Sequence, residues 1–297
     1  PLSEPLEFTG ERFTPECVRE IHYEHIHRYV FARELVAGRR VLDAACGEGY
    51  GSAILAGTAA EVVGVDVSNE AVDHARERYA AKGLQFQQAD CLDLPFDDDA
   101  FDCIVSFETL EHLEAHERLL DEFRRVLAPG GFLLISTPDK AVYTDKLGNQ
   151  NEFHPKELYR GEFESLLKGV FPACRLWGQK LGFQSLLWSL DDNSGQRFHR
   201  ESGQGVSASD KAPYEAVYLV ALCAESPDCL PGETFGLSLF DDESESVYDH
   251  YHHEIKKNMA AGGLLQERDR EIAELKTRLD EFSGRKTAWW QRLLGKG

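Results

Sequence analysis

No two cysteines stand at Cys-x-x-Cys spacing, and no apolar stretch approaches the ~18–20 residues needed to cross a bilayer. Basic residues are scarce, with 32 Lys and Arg against 52 Asp and Glu and a formal charge of −20. Each shortage excludes something. The seven cysteines are odd in number and scattered. That speaks against a disulfide framework or a zinc site and for a reducing, cytoplasmic compartment. The acidic excess argues against nucleic-acid binding through a basic face. No signal peptide opens the sequence, and its start at Pro1 leads us to expect further residues ahead of it.

What is present is organised around residues 41–51, Val-Leu-Asp-Ala-Ala-Cys-Gly-Glu-Gly-Tyr-Gly. The first half is apolar and short enough for a buried parallel strand. The second half carries Gly47, Gly49 and Gly51 at alternate positions, then an Ala/Ile/Leu run that reads as helix. Absent side chains let a ligand lie against the backbone. Free N–H groups at the helix start favour a polar or anionic one. Such loops bind dinucleotides and also S-adenosylmethionine. The dinucleotide spacing G-x-G-x-x-G is not met, because Ser52 holds the third-glycine slot. A tight turn with no ligand is the bland alternative.

Ahead of this loop, residues 1–20 read as an ordered arm and residues 16–37 as a helix with Ile21, Ile26, Val30 and Leu35 apolar. The same helix carries His22, Tyr23, His25, His27, Arg28 and Tyr29. His22 and His25, or His25 and Tyr29, share a face. That face is either a cofactor or substrate surface or simply solvated. No acidic or cysteine partner has matching spacing, so no metal is assigned to it.

After the loop, strands and helices alternate. Strands are expected over 41–45, 61–66, 84–89, 103–107 and 132–136. Helices are expected over 49–56, over 69–81 behind a Ser68 N-cap, and from the fourth strand to about Leu127, where Pro129-Gly130-Gly131 breaks the chain. A helix over 154–170 and strands over 175–181 and 215–224 follow. This is an α/β pattern, a Rossmann-like doubly wound, mostly parallel sheet. The polar stretch 191–211 reads as a mobile loop, either an acceptor lid or a plain connection. Ligands in such sheets bind beyond the carboxyl ends of the strands. That rule selects Gly47 and Gly49, Asp66, Asp90, Phe107 and Glu108, and Thr137. Asp66 closes an apolar strand and can accept both hydroxyls of a ribose; an N-cap role is weaker, since Ser68 offers that. Asp90 with Cys91 can hold an adenine edge.

Four motifs in order resemble class I S-adenosylmethionine-dependent methyltransferases. They are Asp43-Ala44-Ala45-Cys46-Gly47-Glu48-Gly49, Gly64-Val65-Asp66-Val67-Ser68, Ala89-Asp90-Cys91-Leu92-Asp93-Leu94-Pro95-Phe96 and Leu127-Ala128-Pro129-Gly130-Gly131. The resemblance implies a seven-stranded sheet with the last strand antiparallel between the fifth and sixth, and S-adenosyl-L-methionine as cofactor. It places Gly47 and Gly49 on the methionine part, Asp66 on the ribose, Asp90 and Cys91 on adenine, and Phe107 beside the sulfonium. Asp43, Ala45, Val67, Glu108, Tyr23 and Arg28 complete the expected cofactor-binding set. A narrower resemblance is carried by Thr9-Gly10-Glu11-Arg12-Phe13, by Tyr23-Glu24-His25-Ile26-His27-Arg28-Tyr29, and by Asn151-Glu152-Phe153-His154-Pro155-Lys156-Glu157-Leu158-Tyr159. These are similar to methyltransferases of cell-surface polysaccharide clusters.

Methyl transfer from a sulfonium is an in-line displacement, so the protein mainly aligns nucleophile and methyl. A hydroxyl nucleophile also needs a base. His112 or His154 is the expected base, with Glu108 or Glu111 orienting it or binding the acceptor. Capping and dipole complementation at a helix start would equally account for Glu111 and His112. The same groups could ligate a metal ion, but the sequence does not demand one.

The expected organisation is an arm and helix over 1–37, a methyltransferase domain over 38–225, an acidic linker over 226–250, a helix or coiled coil over 251–283 and a basic Trp-rich tail over 284–297. Leu265, Ile272, Leu275, Leu279 and Phe282 fall on a/d-type spacing, which suggests a homo-oligomer through residues 264–282 or one amphipathic helix folded back on the domain. Trp289, Trp290, Leu293 and Leu294 among Arg and Lys suggest peripheral contact with the inner face of a membrane, or a partner-binding end. Three functions remain open: methylation of a surface-glycan sugar, methylation of a small molecule such as a quinone precursor or aminosugar amine, and a non-catalytic scaffold in glycan assembly.

Overall fold

The structure is a computed structural model and describes residues 20–187, 189, 195–232 and 236–295. The Thr9–Phe13 motif lies outside the described residues, as do residues 191–194. The chain divides into two units, residues 1–240 and 241–297.

The first unit begins with α1 (Glu20–Leu35), then β1 (Arg40–Ala44), α2 (Tyr50–Ala56), β2 (Glu61–Asp66), α3 (Asn69–Arg78), β3 (Leu84–Gln88) and β4 (Phe101–Ser106). A 3-10 turn at Leu110–His112 leads to α4 (His116–Val126), β5 (Leu127–Pro138), α5 (Lys140–Tyr143), α6 (Arg160–Val170) and β6 (Ala173–Gln179). A hairpin of β7 (Phe198–Ser202) and β8 (Gly205–Ser209) precedes β9 (Tyr218–Ala224). The main sheet has the order β3-β2-β1-β4-β5-β9-β6. Neighbours from β3 to β5 pair parallel, and β9 runs antiparallel between β5 and β6. The expected seven-stranded sheet is therefore present, with its single reversed strand in the expected place.

Strand alternation explains the two buried faces. Leu42, Ile104, Leu133 and Ile135 pack on one side with Phe123 of α4 and Phe163 of α6. Val41, Val105, Leu134 and Leu222 pack on the other with Ala32 and Leu35 of α1 and Leu55 of α2. Between β1 and β4 the strand order reverses, which opens a crevice at their carboxyl ends.

Four boundaries differ from the sequence reading. Pro129-Gly130-Gly131 does not precede β5 but lies inside it. Phe101 pairs with Leu127 and Cys103 with Phe132, so residues 128–131 bulge out. Gly130 has φ +78°, and a Cβ on Gly131 would lie 2.8 Å from the Asp102 carbonyl oxygen. Both positions therefore need glycine, and the strand resumes past them. The helix after β4 is split into the 3-10 turn and α4. His154 does not open α6; it sits on the loop before it, and the helix begins at Arg160, where Glu162 Oε2 accepts the Tyr159 N–H at 2.9 Å. The polar stretch 191–211 is not a plain loop, because its described part forms the β7–β8 hairpin, turning at Gly203-Gln204.

The second unit holds α7, a single helix over Ser246–Leu293. It covers what the sequence reading assigned to the end of the linker, the coiled coil and most of the tail. Among the described residues no helix is long and apolar enough to cross a membrane.

Candidate active site

The β1–α2 loop is shaped by what it packs against. Gly47 and Gly49 have φ of +56° and +90°. A Cβ on Gly49 would lie 2.7 Å from Ala75 Cβ and 2.8 Å from the Phe86 ring. The intervening Glu48 turns inward, with Oε2 3.1 Å from His74 Nε2 and Oε1 accepting from Tyr79 at 3.0 Å. This anchor to α3 was not singled out from the sequence. Its only signal was a carboxylate between two glycines.

Asp43 braces the loop from behind. It is fully buried and accepts from Ser52 Oγ at 2.6 Å and from Tyr29 Oη at 3.1 Å. Burial, opposed by those two hydrogen bonds, pushes its carboxyl up to about 7 from 3.8. Between those values the folded chain holds the extra proton, so stability falls as pH rises through the window. Asp43→Asn keeps partners for both hydroxyls, which donate or accept. Urea denaturation at pH 5 and pH 8 should show the native protein losing about 3 kcal/mol more than Asp43→Asn between them. Equal losses in the two proteins would place the buried charge elsewhere.

Asp66 joins the loop to the end of β2. Its Oδ2 accepts the Gly47 N–H at 3.0 Å and its Oδ1 the Ser68 N–H at 2.9 Å. Ser68 Oγ in turn caps α3 by accepting from the Ala71 N–H. Asp90 Oδ1 accepts the Leu92 N–H at 2.9 Å. The buried Cys91 thiol is pushed up to about 12 by desolvation and by Asp66, so it stays protonated. Ala45 continues β1 into the loop, and Val67 projects to solvent beyond β2.

Across the crevice stands Arg28 of α1. It is 2% exposed; Nη1 donates to Gln179 Oε1 at 2.8 Å and lies 3.9 Å from Glu108 Oε1. Its guanidinium lies 5.0 Å over the Tyr218 ring. Nε and Nη2 have no hydrogen-bond partner among the described residues. Burial alone would lower its pKa, but Glu108 and the neighbouring tyrosines hold it above the ordinary value. Glu108 has φ +52°, a strained backbone for a non-glycine residue. It is held there by Ser136, which donates to Glu108 Oε1 at 2.6 Å and accepts the Glu108 N–H at 3.1 Å. Phe107 is buried edge-on to Tyr29, and Tyr23 edge-on to Phe240. Tyr218 escaped the sequence reading because β9 is antiparallel and brings its amino end to the edge where the parallel strands present their carboxyl ends; Gln179 escaped it because β6 ends there and not at residue 181.

A second cluster lies past β4. Glu111 is 1% exposed, and its Oε2 accepts from Thr137 Oγ1 at 3.1 Å while Oε1 has no hydrogen-bond partner among the described residues. Burial, then the charge of Glu108, raises its pKa well above the usual carboxylate range. His112 Nδ1 lies 2.9 Å from the Phe153 carbonyl oxygen. His154 Nδ1 lies 2.8 Å from Glu157 Oε1, and its Nε2 is 2.9 Å from Asn151 Nδ2. The two imidazole rings stand 4.9 Å apart at 82°. Beside them is a polar cleft of about 640 Å³ lined by residues including Lys140, Thr144, Gln150, Asn151, His154 and Lys156.

Comparison with known proteins now bears on this geometry. A family model described as "Methyltransferase domain" matches residues 42–135, from β1 through β5. Residues 42–135 are thus similar to a methyltransferase domain. It is 36% identical over 170 residues to a probable S-adenosylmethionine-dependent methyltransferase of Mycolicibacterium smegmatis, covering 56% of this chain and 65% of that protein. It is 37% identical over 165 residues to a probable S-adenosylmethionine-dependent methyltransferase of Mycobacterium tuberculosis, covering 54% and 60%. It is 44% identical over 142 residues to a demethylmenaquinone methyltransferase of Clavibacter sepedonicus, covering 46% and 51%. The chain thus spans between half and two thirds of the relatives' lengths. The domain implies S-adenosyl-L-methionine, and the residues fit it. The buried N–H groups of Arg28, without a hydrogen-bond partner among the described residues, suit a carboxylate. The fold thus joins Gly47 to Asp66, sets Glu108 against Arg28, and gathers Glu111, His112 and His154 in a cluster of their own.

Proposed function

We propose that the chain is an S-adenosylmethionine-dependent methyltransferase that methylates a hydroxyl of a sugar, within a cell-surface polysaccharide or its precursor. The observation that carries this is the imidazole pair beside a cleft lined by amides, lysines and a threonine, which suits a hydroxyl-rich acceptor. When bound, the cofactor supplies an electrophilic methyl group. The chain's own residues do the rest. Arg28 and the glycine loop orient the methionine part, Asp66 the ribose, and Asp90 with Cys91 the adenine. The Phe153 carbonyl and Glu157 hold the Nδ1 protons of His112 and His154, which leaves Nε2 the basic atom of each ring. A histidine so arranged takes the acceptor's proton.

The test is incubation with methyl-labelled S-adenosylmethionine and a fractionated cell extract. Label in the polysaccharide or lipid-linked glycan fraction is expected. Label in the small-molecule fraction supports the alternative that the Clavibacter relative's name suggests, a quinone precursor, or an aminosugar amine. Cofactor binding with no labelled fraction would favour a scaffold in glycan assembly.

The second unit suggests self-association. Leu265, Ile272, Leu275, Leu279 and Phe282 are all exposed on α7, at the spacing of a two-stranded seam. Sedimentation should show dimers at micromolar concentration; monomers would refute the seam. The basic residues 284–297 would add weak membrane contact, which liposome co-sedimentation with and without them would register.

A further inference from the structure

Two features of the Glu111–His112–His154 cluster go beyond what a proton acceptor needs. Each residue offers one ligand atom, and the three atoms lie within 4.8 Å of one another. Glu111 Oε1 is buried and, among the described residues, without a hydrogen-bond partner. A lone buried carboxylate oxygen costs free energy unless something pairs with it. The imidazoles are also oriented from behind. A carbonyl on one Nδ1 and a carboxylate on the other are the outer contacts that fix metal-ligating histidines, which leaves Nε2 as the ligand atom of each. Thr137 does the same for the carboxylate, binding Oε2 and leaving Oε1 for the cluster.

We propose that Glu111, His112 and His154 bind a divalent first-row cation that holds the acceptor through its hydroxyl oxygen. Two imidazoles and one carboxylate suit Mn²⁺ or Zn²⁺ better than Ca²⁺ and leave coordination positions open. Two neighbouring hydroxyls of a sugar can fill them. Asn151 Nδ2, now on His154 Nε2, turns aside on loading. This inference rests on the hydroxyl-methylation reading and deepens it: with the ion bound, the imidazoles act on the hydroxyl through it instead of taking the proton themselves. The acceptor O–H bond breaks and its proton passes to water. The oxygen lone pair forms the O–C bond, the C–S bond breaks, and its electron pair returns to sulfur as a neutral thioether. No oxidation state changes.

Chelator-treated full-length protein titrated with Mn²⁺ and read by electron paramagnetic resonance tests the site without turnover. One Mn²⁺ per chain is expected to bind. Glu111→Gln, His112→Ala and His154→Ala should each weaken it at least ~10-fold, and the outer variant Glu157→Gln by about the same. Glu152→Gln, an exposed carboxylate of the same cleft, should leave it unchanged, and circular dichroism checks that each variant folds. Absence of saturable binding, or binding indifferent to the three ligand variants, overturns the proposal. Transfer of label to a hydroxyl with no Mn²⁺ bound would overturn the ion while sparing the methylation reading. Site-dependent Mn²⁺ binding with no methylated hydroxyl would support the ion and sink that reading.

Discussion

His154→Ala lowers kcat at least ~100-fold, the scale of losing a positioned proton-transfer group, and leaves the Kd for S-adenosylmethionine within about threefold. The separation follows from where the residue sits. It lies on the loop between α5 and α6, whereas the proposed cofactor cradle uses the ends of β1, β2, β3 and β4 and α1. None of His154's contacts (Asn151, Glu157, and the His112 and Tyr143 rings) belongs to the cradle. Glu157→Gln gives a milder loss, because the amide still reaches Nδ1 but no longer favours the charged ring. Isothermal titration with cofactor and single-turnover methyl transfer measure the two quantities separately. Turnover unchanged in His154→Ala would remove His154 from the chemistry, and a matching fall in cofactor affinity would make its role structural.

The parts legible in the sequence are those whose cause is local. β2 reads correctly over Glu61–Asp66 because an apolar run ends on a carboxylate and Ser68 follows as a cap. The glycine loop reads correctly because two positive-φ positions need glycine wherever the chain later folds. The illegible parts are set by distant packing. Glu157 stands three residues after His154, a spacing that suggests a helix. The segment is loop, and Pro155 favours extended backbone at the residue before it. The pair still forms. The Arg28 site is assembled from α1, the end of β6 and the start of β9, and Gln179 is 151 residues away in the chain. No periodicity links such positions. Only the antiparallel insertion of β9 brings them to one edge. The bulge in β5 is a third case, since Pro-Gly-Gly reads as a strand boundary until the register with β4 shows the chain pairing on both sides of it.

Arg28→Met weakens S-adenosylmethionine binding about 100-fold. Removing one partner of a buried, hydrogen-bonded charge pair costs about 2–5 kcal/mol, and each 1.4 kcal/mol is tenfold in affinity. The side chain is placed for this before any ligand arrives. Gln179 takes Nη1 and Tyr218 covers the guanidinium face, so the free Nε and Nη2 edge is fixed in direction. Glu108 lies nearest Nη1, at 3.9 Å, and bonds neither atom of that edge, yet its charge offsets part of the cost of burying the cation. A bound carboxylate would complete the set with two parallel N–H···O bonds. Arg28→Lys keeps the charge but loses the fork, so it should fall between the native protein and Arg28→Met. A cofactor analogue lacking the carboxylate separates this role from packing. The native protein should bind the analogue about 100-fold more weakly than S-adenosylmethionine. Arg28→Met, checked by its thermal melt without ligand, should bind the two alike. Undiminished discrimination in Arg28→Met would mean that the carboxylate is read elsewhere. The unpaired edge of Arg28 would then serve the acceptor side of the crevice, where Glu108 and Tyr218 also stand.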